Sequence, residues 1–105
     1  MVNEFGQTLD RNKYAPSIVG EQERCFICGR KDRKLDRHEA FHGSYREKSK
    51  ELGCWVLLCD ICHDELHHRG GGKDLLVKQC IQRVAMDRYG WDLAAFRERF
   101  GKSYI

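Results

Sequence analysis

Two Cys-x2-Cys pairs, Cys25/Cys28 and Cys59/Cys62, constrain this chain more than any other feature. Two residues between the cysteines let both sulfurs of a pair face one centre, with the intervening backbone N–H groups turned toward them. Four thiolates at ~2.3 Å make the closed tetrahedral shell that structural zinc prefers. The thirty residues between the pairs must then close into a loop, and metal binding supplies on the order of 10 kcal/mol toward such closure. The spacing therefore predicts a structural zinc on Cys25, Cys28, Cys59 and Cys62. Cys54 and Cys80 fall outside the pattern. Cys80 lies on the apolar face of a predicted helix and Cys54 opens a predicted strand, so both are expected to be small buried hydrophobes.

A chain of 105 residues fits one domain with a thin core, the size at which a metal staple helps most. Charged residues at 33% and hydrophobic ones at 41% are a folded composition, not a disordered one. No apolar run approaches the ~20 residues of a membrane span, and the first residues, MVNEFGQTLDRNK, are too polar for a secretory signal. The expectation is a cytoplasmic chain whose thiols stay reduced, which favours metal over disulfides. The formal charge of +3 says little about partners, but its distribution says more. Residues 30–50 hold Arg30, Lys31, Arg33, Lys34, Arg37, Arg46, Lys48 and Lys50 against four acidic side chains. Arg30, Lys31, Arg33, Lys34 and Arg37 are candidates to track nucleic-acid phosphates; a solvated loop of mixed charge is the alternative.

Patterning divides the chain into an N-terminal arm (1–24), a metal-centred core (25–70) and a helical extension (73–105). The arm lacks periodicity and is expected to pack loosely or stay mobile. LDRHEAF (35–41) reads as a strand ended by Gly43. SYREKSKEL (44–52) reads as a helix with Ser44 as N-cap, Glu47 completing a capping box and Gly53 as the stop. CWVLLC (54–59) has strand length; a helix follows from Asp60, ended by GGG (70–72). Residues 73–89 carry Leu76, Val77, Cys80, Ile81, Val84 and Ala85 on one helical face. After Gly90, Asp92 caps a last helix with Leu93, Phe96 and Phe100 as its stripe and Gly101 as its end. The fold class is a small zinc-stapled α+β domain with two helices added behind the core.

His63 and His67 stand four apart at the start of the helix that follows the second cysteine pair. That spacing hands two imidazoles to one ion; two solvated side chains are the bland alternative. His38 and His42 lie in the intervening hairpin, and His68 points elsewhere.

The stretches CFICG, LDRHEAF and LLCDICHDELH together resemble the HNH (His-Me finger) nucleases over the span from Cys25 to about His67. The resemblance implies a treble-clef, ββα-metal core and one-metal hydrolysis of phosphodiester bonds in nucleic acid, with DNA the expected substrate. His38 falls on the family's strand histidine, and His63 and His67 on the metal-binding histidines of its helix. A second divalent ion (Mg, Mn, Ni or Zn) would then sit on His38, His63 and His67. Many members carry Asp-His or His-His in the strand; here Arg37 precedes His38, and Cys54 stands where the family's asparagine falls. The remaining catalytic role is open among His38, Glu39 and His42, with Arg37 a clamp for a phosphate oxygen.

The span from Cys25 to FGKSYI also resembles small phage and prophage proteins, implying a protein encoded by such an element and acting in the bacterial cytoplasm. Two non-enzymatic readings stand beside the nuclease. One is a treble-clef scaffold that binds nucleic acid without cutting it. The other is an adaptor that occupies a host or phage protein through the outer arginines of the last helices, Arg83, Arg88, Arg97 and Arg99. Either a monomer or a homodimer fits all three.

Overall fold

The computed structural model describes residues 1–68 and 72–105, and among them are four helices and one two-stranded sheet. Strand β1 (Leu35–Glu39) leads through a 3-10 turn (Gly43–Tyr45) into helix α1 (Arg46–Glu51). Strand β2 (Trp55–Cys59) returns and passes without a break into α2 (Asp60–His68); α3 (Gly72–Tyr89) and α4 (Leu93–Phe100) follow. The strands pair antiparallel, with His38 opposite Val56 and Arg37 opposite Leu57. Opposed residues share a face of the sheet, so His38 lies on the side of Val56 and Leu58, both fully buried.

β1 ends two residues short of the expected strand. Ser49, buried in α1, accepts a hydrogen bond from Phe41 N–H (3.1 Å) and donates to Phe41 O (2.9 Å). One hydroxyl thus takes both backbone groups of Phe41, and the chain turns there. The capping box expected at Ser44 and Glu47 does not form. The first turn is spent on 3-10 geometry opened by Gly43 (φ 71°), and α1 begins at Arg46 behind Tyr45, without a side-chain cap. Glu47 pairs with Lys50 instead, at 3.5 Å.

Residues 1–24 do not form a loose arm. Ser17 Oγ donates to Trp55 O (2.7 Å), Trp55 Nε1 donates to Ala15 O (2.8 Å), and Leu57 N–H donates to Gln22 Oε1 (2.8 Å). The outer edge of β2, which would otherwise stand open, is thereby satisfied. Gly53 stops the helix as expected, at φ 71°, and for a second reason: a Cβ there would collide with Pro16 O.

On α3 the buried seam is Val77, Ile81, Gln82 and Ala85. Leu76 is 53% exposed and Cys80 and Val84 are half-buried, so the expected face is narrower and Cys80 is not a core residue. Gln82 is buried because it holds the C-terminal tail: its Oε1 accepts from Tyr104 N–H (2.7 Å) and its Nε2 donates to Ser103 Oγ (2.9 Å). Of the helix stop assigned to residues 70–72, positions 70 and 71 lie outside the described residues; Gly72 itself opens α3. Asp92 caps α4 by accepting from Ala95 N–H (2.8 Å), and Gly101 ends it at φ 82°. Phe96 and Phe100 pack against Phe41, at ring centroids 5.2 and 4.4 Å, and fasten α4 to the end of β1. Leu93 is 38% exposed and lies off that stripe. Arg83, Arg88 and Arg97 are exposed, but Arg99 pairs with Glu4 (3.1 Å) and covers the Trp91 ring. Among the described residues no helix is long and apolar enough to cross a membrane.

Ser49→Ala should lower stability by about 1–3 kcal/mol, the range for stranding buried polar groups. Urea unfolding checks this; an unchanged midpoint would show that the Phe41 clamp carries no stability.

Candidate functional site

The first cysteine pair is a tight turn: Gly29 N–H donates to Cys25 O (2.9 Å), Cys25 N–H donates to Arg30 O (2.8 Å), and Gly29 takes φ 76°. The second pair straddles the β2–α2 junction, Cys59 ending the strand and Cys62 lying in the first helical turn. Cys62 N–H points at Cys59 Sγ (3.4 Å), and Phe26 N–H donates to Leu57 O (2.8 Å), tying the two pairs together. All four sulfurs lie within 4.8 Å of one another, as a metal site requires. Burial pushes the Cys25 thiol up, but backbone N–H groups at Cys28, Cys59 and Ile27 outweigh it and bring it to about 6. Burial and the neighbouring sulfurs raise Cys62 to about 12. Cys54 stands apart, fully buried, with its thiol pushed up by burial alone.

A second cluster lies where α2 crosses β1. The i,i+4 spacing sets the His63 and His67 rings 4.8 Å apart, and the His38 ring sits 5.2 Å from the first and 5.4 Å from the second. One ligand nitrogen from each lies within 4.8 Å of the others. His38 is 2% exposed and its Nε2 is buried with no hydrogen-bond partner, an arrangement that costs about 1–3 kcal/mol unless something binds there. Burial first, and then the His63, His67 and His42 imidazoles, lower His38 to about 4, so it is neutral and able to ligate at pH 7. Burial and its histidine neighbours lower His67 as well. The rings border a cavity of about 250 Å³ that Arg37, Glu39, His42 and Arg46 also line.

Comparison with known protein families, curated proteins and solved structures returned no match.

The other candidate residues are placed as follows. His42 stands near His38, at ring centroids 5.7 Å, and its Nε2 meets Asp74 Oδ1 at 3.0 Å. Glu39 is opposed to Trp55, on the other pleat from His38, and also borders the cavity. Its carboxylate is held by Arg46 Nε at 2.6 Å. Arg33 is bound by both nitrogens to Asp60 at the start of α2, which lowers the Asp60 carboxyl to about 2, so this guanidinium is occupied. Arg30 pairs with Asp32 (3.4 Å) and Lys34 with Asp36 (3.6 Å), whereas Lys31 is exposed. Arg37 bridges to Asp10 (3.0 Å) and stacks on Tyr14 at 4.2 Å. Arg46, which sequence reasoning did not single out, lines the same cavity as the histidines, with a 61% exposed side chain. Asp74 was also missed. Its only local signal was an acidic residue in a first helical turn, four before a lysine, which reads as ordinary helix stabilisation.

Burial alone would raise the Glu39 carboxyl; the Arg46 guanidinium and the Tyr14 hydroxyl outweigh it and hold it below its ordinary 4.5. A depressed carboxyl stabilises the fold above its unfolded value, and that contribution is lost as pH falls through the folded one. Arg46→Met should therefore raise the Glu39 titration midpoint and move acid unfolding to higher pH. Carboxyl-detected NMR and circular dichroism read both; no movement in either would mean the pair is not formed in solution.

Proposed function

We propose that the chain is a metal-dependent nuclease of the HNH kind, built on a treble clef whose cysteine cluster holds zinc. A tetrahedron with ~2.3 Å zinc–sulfur bonds has edges of about 3.8 Å, and Cys28 Sγ and Cys59 Sγ are 3.8 Å apart. Three further supports are the chemistry of four soft sulfur donors, the burial of Cys25, Cys59 and Cys62, and the order knuckle, hairpin, knuckle, helix. The observation that carries the nuclease reading is the orphaned Nε2 of His38, converging with His63 and His67 on one cavity. Three imidazoles with an open side fit a catalytic divalent ion, where a closed shell would fit a structural one.

An ion on those nitrogens would supply the charge that binds a phosphodiester and offsets the negative charge growing on the leaving oxygen. The protein's own residues do the rest. His38 is fixed by the sheet and by burial, so its lone pair needs no reorganisation on ligation. Arg46 offers a planar guanidinium at the cavity edge for a phosphate oxygen, with Glu39 fixing its Nε. Arg37 flanks the same cavity. Of the residues open for the proton-accepting role, Glu39 is committed to Arg46, His38 is assigned to the ion, and His42 remains. The substrate is nucleic acid, DNA in the first instance, met by Arg37 and Arg46, which line the cavity that the histidines border. A bacterial cytoplasmic setting, in a phage or prophage context, belongs to this same proposal.

Supercoiled DNA should be nicked in the presence of Mg²⁺, Mn²⁺ or Ni²⁺, and chelation should stop it. His63→Ala should reduce nicking by more than about 100-fold, beyond the 10–100-fold typical of groups that only support a ligand. Equal nicking by parent and variant would contradict the assignment. Salt-dependent DNA binding without any cleavage would instead make the chain a binding scaffold.

A further inference from the structure

His38 belongs to two triads, His38, His63 and His67, and His38, His42 and Asp74, each with ligand atoms within 4.8 Å of one another, and a neutral imidazole has one lone pair. A single lone pair cannot serve two ions, so the sets compete. Their hydrogen bonding separates them. Among the described residues His63 and His67 make no side-chain hydrogen bond, and their lone pairs are available. Both Asp74 oxygens are already engaged: Oδ1 meets His42 Nε2 at 3.0 Å and Oδ2 meets Lys78 Nζ at 2.8 Å. All three side chains are shielded, Asp74 at 22%, Lys78 at 16% and His42 at 37% exposure. Lys78 is backed in turn by the Tyr104 ring at 5.1 Å, and Gln79 Nε2 pins Tyr104 O at 2.9 Å. A carboxylate can only accept, so His42 presents Nε2–H to Asp74 and keeps its lone pair on Nδ1.

We propose that Asp74 is a positioning residue that sets the ring and tautomer of His42 beside the His38–His63–His67 ion site, and is not a ligand of that ion. The inference rests on the nuclease reading for its purpose, though not for its geometry. A carboxylate behind an imidazole fixes which nitrogen carries the proton. With a phosphodiester bound, water passes a proton to His42 Nδ1 while its oxygen forms the new bond to phosphorus. The bond from phosphorus to the leaving oxygen breaks, that oxygen keeps the electron pair, and it then takes a proton from solvent. In this arrangement the C-terminal extension serves the site, because α3 and the tail hold the acid that holds His42.

Three measurements on the full chain with its cysteine-bound ion in place test this: Mn²⁺ affinity of the second site by calorimetry, the His42 tautomer by ¹⁵N NMR, and nicking of supercoiled DNA. Asp74→Ala should leave Mn²⁺ affinity within about threefold of the parent, move His42 away from the Nε2–H form, and slow nicking by about 10–100-fold, the usual cost of a lost supporting partner. Asp74→Asn keeps an acceptor oxygen and should restore the tautomer, with nicking between that of the parent and the alanine variant. A loss of Mn²⁺ affinity beyond about 100-fold in either variant, more than a supporting partner costs, would make Asp74 a ligand and overturn the proposal; so would a His42 tautomer unchanged in Asp74→Ala. If the parent chain does not nick, the nuclease reading fails, while the affinity and tautomer measurements still decide the role of Asp74.

Discussion

Four thiols drawn within 4.8 Å of one another are the constraint on which the rest of this structure depends. They come from both sides of a thirty-residue excursion, and two of them sit astride the junction of β2 and α2. Without a cation the cluster is poorly suited to its own ionisation: one sulfur is drawn toward thiolate as its neighbour is pushed toward thiol. A dication held by the four sulfurs would remove that conflict and fix where α2 begins. Because α2 starts directly at Asp60, the azimuth of His63 and His67 follows from the position of Cys59 and Cys62. Sulfur geometry thus sets imidazole geometry through one rigid helical turn.

The two clusters differ in donor type and in access. Cys25, Cys59 and Cys62 are buried and Cys28 is exposed, with all four sulfurs within 4.8 Å of one another. The imidazoles border a cavity, leave a buried nitrogen without a partner, and have Arg37 and Arg46 nearby. Around them sits a layer of polar contacts: Ser49 turns the chain at Phe41, Asp74 takes His42, and Gln82 and Gln79 hold the tail behind Lys78. Each member of this layer is a polar group that would be costly to bury unpaired, and each is paired.

What could be read from the sequence follows from how local each feature is. The cysteine pairs, the His63/His67 spacing, the Asp92 cap and the Gly53 stop are set within a few residues, and each lies where its pattern placed it. Features that depend on distant partners were not legible. Ser44 carried the cap pattern, but Ser49 makes the structural contact, because its partner Phe41 precedes the helix. Residues 1–24 lack periodicity since they pair with the edge of β2 one group at a time, not as a strand. Arg33 looked free beside other cations, yet Asp60 lies 27 positions away in sequence and in contact in space. The His42–Asp74 pair spans 32 positions, from a hairpin end to a third helix, and nothing in either neighbourhood announces the other.

The most direct test of the central claim is zinc K-edge X-ray absorption on the purified chain, with total metal measured on the same sample. One tightly held zinc per chain with four sulfur neighbours at ~2.3 Å is the predicted result. Nitrogen in the first coordination sphere of that tight site, or a metal-free chain that keeps its fold with the cysteines joined in pairs, would contradict it.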